Sequence, residues 1–120
     1  MTPLLSSLLI GALAGVVAAL CGVGGGIIMV PAFVMLLGLS QKAAVTTSLV
    51  AIVLAAIAAS IRNHANGFIR WDIALPAGIA AGLVAWFAAD LLKHLSNATL
   101  TRIFAVLLIL IGIRMLFMKT

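Results

Sequence analysis

The sequence predicts an all-α fold: a polytopic membrane helix bundle with about four spans and a glycine-broken half-helix after the first. Three observations carry that expectation. Of 120 residues, 66% are hydrophobic and 8% charged, with a mean hydropathy of +1.41, whereas a soluble domain carries roughly a quarter of its residues charged. Apolar stretches long enough to cross a hydrocarbon core of about 30 Å recur along the chain. Finally, Cys21-Gly22-Val23-Gly24-Gly25-Gly26 sets four glycines among five positions, inside a region with no charged side chain before Lys42. Glycine is costly in a helix interior, so this run should break one. Broken backbone at membrane depth is tolerated only where it is buried in protein or lines a cavity.

The elements follow in order. Pro3 to Leu20 forms the first span, with Gly11 and Gly15 on one face where another backbone can approach. Ile27 to Leu37 is apolar but too short to span, and Gly38 with Ser40-Gln41-Lys42 ends it. It reads as a half-helix that either continues the first segment after a kink or returns as a re-entrant hairpin. Ala43 to Ile61 is the second full span, carrying Thr46-Thr47-Ser48 in its early turns. Such hydroxyls bond back to their own helix or flank a polar path.

Arg62 to Asp72 is the one extended polar segment, with a turn at Asn66-Gly67, an interfacial anchor in Trp71 and a helix-start carboxylate in Asp72. His64 is expected as an ordinary loop residue. Ile73 to Ala89 is the third span, with Pro76 in its early turns. Its flat stripe of Gly78, Gly82 and Ala85 should pack against another helix. Asp90 is expected to pair with Lys93 or to face the headgroups. Ser96 to Thr99 supplies a capped turn before the last span, Leu100 to Met118. With alternating spans, Lys42, Lys93 and Arg102 fall on one side, and Arg62, Arg70, Arg114 and Lys119 on the other. That near-balance specifies orientation weakly.

The formal charge of +5 sets seven Lys and Arg against Asp72 and Asp90. These basic residues flank spans and snorkel to headgroups, or they express a preference for anions along a path. They are scattered singly, so no nucleic acid partner is expected. The single Cys21 excludes an internal disulfide. As a lipid-attachment site it fits poorly, because the large Leu20 precedes it. The N-terminus lacks the basic region of a signal peptide, so the first segment is expected to be retained.

No catalytic constellation, metal cluster or cofactor motif is present, and the chain is expected not to be an enzyme. The glycine run departs from a dinucleotide fingerprint at Ile27 and has no strand around it. The half-helix offers more. Its first N–H groups lack intrahelical partners, the helix dipole places partial positive charge there, and glycines let a ligand reach the backbone. Discontinuous helices at the midplane are a recurrent transporter device. Alternatively, the glycines serve only close helix crossing.

These residues resemble a repeat of the TauE/SafE family. The resemblance lies in Gly11-x3-Gly15, in Cys21 to Gly26 with Pro31, and in Leu37-Gly38-Leu39. It continues through Ala43 to Leu49, His64-x2-Gly67 before Trp71-Asp72, Phe104-Ala105 and Gly112-Ile113-Arg114. It covers nearly the whole chain through the order and spacing of its motifs. It implies a permease for small anions such as sulfite or organosulfonates in the bacterial inner membrane, with Gly22, Gly24, Gly25, Gly26, Ile27, Pro31, Thr47 and Ser48 lining or shaping the substrate site. Family members typically hold two such repeats. Residues 1–120 would then be a single transmembrane domain holding one repeat, pairing as a homodimer or with a second half-size chain. The competing expectation is a non-transporting membrane subunit that scaffolds a larger complex.

Overall fold

The computed structural model describes residues 2–22 and 25–118, and over these the chain is helical. Helix α1 spans Pro3–Cys21, α2 Gly26–Leu37, α3 Gln41–Asn66, α4 Trp71–Ala88 and α5 Asn97–Leu116, with a 3-10 turn at Ala89–His94 between the last two. Four helical stretches are long and apolar enough to cross a membrane: Pro3–Cys21, Gln41–Asn66, Trp71–His94 and Asn97–Leu116. Helix α2, with 12 residues, is not among them. At 1.5 Å per residue it is about 18 Å long, against a hydrocarbon core of about 30 Å.

The direction of α2, open at the level of sequence, is settled by one contact. Gly25 lies so close to Ala14 that a Cβ at Gly25 would stand 2.9 Å from the Ala14 carbonyl oxygen. Ala14 is two turns before the end of α1, so the chain reverses and α2 runs back along α1. The buried face of α1 is Ser6, Ile10 and Ala14, spaced by four as one helical stripe. It meets Met29, Val30 and Phe33 of α2. Gly11 and Gly15 lie off this stripe and approach no neighbour within 4 Å. The close approach expected of that pair is made by Ala14 and Gly25 instead.

Gly38, at φ 70, ends α2, and the Ser40 hydroxyl caps α3 by accepting from the Ala43 N–H at 3.2 Å. Helix α3 then runs back along α2. Gln41, Ala44 and Ser48 are buried, and a Cβ at Gly26 would come to 3.5 Å from Ile52 Cδ1. Ala14 and Ile52 each lie about 17 Å from the start of their helices. The N-terminus of α2 therefore sits at mid-depth between α1 and α3, which run parallel to each other.

Helix α3 continues through Arg62 to Asn66, beyond the expected end at Ile61. No Gly or Pro interrupts it before Gly67, and its 26 residues extend about 39 Å, enough to carry the polar last turns past the hydrocarbon. His64 is thus helical rather than a loop residue. Helix α4 returns, and α5 starts beside α3, where the Asn97 side chain accepts from the Lys42 N–H at 3.1 Å. Lys42 and Arg102 accordingly lie toward one end, as the alternation of spans requires. Asp90 and Lys93 pair at 3.6 Å. Helices α4 and α5 bury no residue, and nothing approaches Gly78 or Gly82 within 4 Å. Among the described residues the flat stripe of α4 packs against no other helix.

Candidate functional site

Where α2 begins, the groove it fills between α1 and α3 does not end. One turn further along both helices lies a half-open cavity of about 230 Å³. Its walls are Ala18, Ala19 and Gly22 from α1 and Ala55, Ala56, Ala59, Ser60 and Asn63 from α3. The small side chains follow from spacing. On α3 the positions recur at 55, 56, 59, 60 and 63, one face of a 3.6-residue helix. Alanines on that face keep the wall back from α1, and Ser60 and Asn63 supply its polar groups.

The N-terminus of α2, at the level of Ala14 and Ile52, lies about one turn short of this space, lines none of it, and is bare. Helices α1, α3 and α5 are capped by the hydroxyls of Thr2, Ser40 and Ser96, and α4 carries Asp72 in its first turn. Helix α2 has neither: its capping position is Gly25, which makes no side-chain cap bond, and no acidic residue follows. The N–H groups of Ile28 and Met29 reach the Gly25 carbonyl at 3.0 and 2.8 Å. Those of Gly26 and Ile27 precede the first intrahelical acceptor. Gly25 holds φ 79, the left-handed region, where a side chain costs about 1–2 kcal/mol. Its contact with Ala14 leaves no room for one in any case. Pro31, which lacks an N–H, withdraws the usual intrahelical donor from the Ile27 carbonyl.

The residues expected at the site fall into two groups. Gly22 lines the cavity; Gly25, Gly26 and Ile27 form the end of α2 about one turn short of it and line none of it; Gly24 lies outside the described residues. The others stand further along. Ser48 is 2% exposed, donates its hydroxyl to the Val45 carbonyl at 2.8 Å, and lines an apolar cavity of about 320 Å³ with Gly26 and Ile52 against α5. Pro31 borders a second apolar space between α2 and α5. Thr47 is exposed on an open surface of α3 with Thr46, whose hydroxyl bonds back to Lys42 and Ala43.

Ser60 and Asn63 went unremarked in the sequence, one at the end of an alanine-rich span and the other within a polar run. Ser7, Thr46, Ser48 and Thr101 each donate to a carbonyl of their own helix. Ser60 makes no such bond among the described residues, nor does the Asn63 amide. The available signal was helical spacing: Asn63 falls on the face of Ala55, Ala56 and Ala59 once α3 is allowed to run past Ile61.

Four apolar spans around a re-entrant half-helix with an uncapped mid-depth end define a multi-pass membrane protein. The family model described as sulfite exporter TauE/SafE matches residues 6–120, and the chain belongs to that family. It is 33% identical over 107 residues to a probable membrane transporter protein, YunE, of Bacillus subtilis strain 168, covering 86% of this chain and 38% of that protein. It is 32% identical over 121 residues to a probable membrane transporter protein of Haemophilus influenzae, covering 95% of this chain and 46% of that one. The chain thus spans less than half the length of these curated relatives. No solved structure matches it.

Proposed function

We propose that this chain supplies one half of a membrane permease for small anions, sulfur-containing oxyanions or organosulfonates, and works as a homodimer or with a second half-size unit. The observation that carries the proposal is the bare N-terminus of α2 at mid-depth, about one turn from a cavity whose lining holds no acidic side chain. Unpaired N–H groups and the helix dipole favour an anion there, and low dielectric strengthens both. Ser60 and Asn63 add neutral donors across the cavity. Gly22, Gly25, Gly26 and Ile27 present backbone to the substrate; Gly24, also expected at the site, lies outside the described residues. Pro31 and Ser48 shape the wall toward α5, and Thr47 lies on the face that a second unit would close.

The names of the two relatives and the family description support transport, and their bacterial sources support a bacterial inner membrane. The exposed faces of α4 and α5 support a second unit, because half a pathway needs a wall it does not itself provide. Flux into vesicles reconstituted with purified protein tests the proposal. Sulfite, thiosulfate or a short alkylsulfonate should enter faster than into empty vesicles. Equal rates for all three, under both a proton and a sodium gradient, would overturn it.

A further inference from the structure

Among the described residues, one side-chain hydrogen bond joins α4 to another helix: the Trp71 indole Nε1–H donates to His64 Nδ1 at 3.2 Å. The rings meet edge-on, with centroids 5.6 Å apart and planes at 71°. His64 lies in the last turn of α3 and Trp71 is the first residue of α4. Between them Gly67 holds φ 76, a position from which a glycine reaches many other backbone conformations.

The chemistry of this contact depends on protonation. An indole N–H donates only, so the facing imidazole nitrogen must be bare and the histidine proton must sit on Nε2. In the imidazolium both nitrogens carry hydrogen, and the contact becomes donor against donor. We propose that His64 and Trp71 form a proton-sensitive latch: neutral His64 holds the start of α4 against the end of α3, and protonation at Nδ1 releases it.

The fold gives such a latch leverage, because among the described residues of this chain α4 buries no side chain that would hold it once the bond is lost. The groove under the latch is lined by Ser60, Ile61, His64 and Trp71, with no second titratable group and nothing from α1, α2 or α5. Of the charged side chains on the two elements that meet there, Arg62 on α3, and Arg70 with Asp72 at the head of α4, lie at this end, while Lys42 stands at the far end of α3. Arg70 and Asp72 pair with each other at 2.6 Å. Ser60 also lines the cavity at the end of α2, and Asn63 of that cavity adjoins His64 in sequence. Release therefore loosens one wall of the proposed anion site. That consequence rests on the anion proposal; the latch does not.

The test uses Trp71 as its own reporter. The chain has two tryptophans, so Trp86→Phe leaves Trp71 as the sole indole. In lipid nanodiscs, its emission should change as pH is lowered from about 8 to about 5. The change should vanish when His64→Gln is added, because the amide oxygen accepts the indole proton throughout. Flat emission in the first protein, or the same transition in the second (where His94 remains), would overturn the latch. Hydrogen exchange on the unsubstituted chain needs no variant. The Ile73 and Ala74 amides, which bond to the Arg70 carbonyl, should lose protection at the acid end after correction for intrinsic rates. Unchanged protection would overturn it too.

Discussion

Helices α1 to α3 hold every buried side chain among the described residues, while α4 and α5 hold none. All four spanning stretches, buried or not, are apolar enough to cross a membrane, and lipid offers no hydrophobic drive for one helix to leave it for another. Backbone does separate them. A full span satisfies its N–H and C=O groups along its own length and can face lipid. A half-helix that ends at mid-depth cannot, so α2 must be flanked by protein, and α1 and α3 flank it. The core of this chain exists to shelter a broken backbone end.

The largest effect that can break this contrast is expected at Gly25. Gly25→Leu adds a side chain at positive φ and against the Ala14 carbonyl, costing about 1–2 kcal/mol for the backbone and about 1–3 kcal/mol for overpacking. Flux should fall about tenfold or more, because the added side chain displaces the α2 end from the position against Ala14 that the proposed site requires. The thermal midpoint should fall with it. A variant that transports and melts like the parent would dissolve the distinction between the two regions.

Asn63→Asp comes next, placing a carboxylate where an anion is proposed to sit. Flux should drop about tenfold or more at neutral pH with the melting midpoint unchanged, because Asn63 has no side-chain partner to lose. On the other region, a Cβ added at Gly82, as in Gly82→Leu, meets nothing within 4 Å among the described residues. The variant should insert normally and change stability by less than about 0.5 kcal/mol, yet abolish cross-linking between units if the α4 stripe is where they meet. Retained cross-linking would move the interface elsewhere. The smallest effect is expected for Ser48→Ala, whose hydroxyl bonds only to its own helix; a loss under about 1 kcal/mol should register in a melting curve.

Local chemistry made much of this fold legible. The glycine run announced the break, Gly38 the stop of α2, Ser40 and Ser96 the helix starts, and Asp90 with Lys93 their pair. What stayed hidden depends on contacts distant in sequence. Whether α2 kinks onward or folds back is decided by Gly25 meeting Ala14, and glycines at a break allow both. The length of α3 was obscured because Arg62, Asn63, His64 and Asn66 suit a loop and the frayed polar end of a long helix equally well. That ambiguity concealed Ser60 and Asn63, which join the cavity only once the helix continues. It also concealed His64, whose partner Trp71 looked like a membrane anchor.

The bare end of α2 can be observed directly. With glycine and isoleucine labelled by ¹⁵N in nanodiscs, the Gly26 and Ile27 amide signals should shift progressively as a short alkylsulfonate is added, while those of Gly78 and Gly82 on α4 stay fixed. Saturable shifts confined to the α2 end are the result this account requires. Gly26 and Ile27 signals that do not move, in protein shown to transport the same anion, would contradict it.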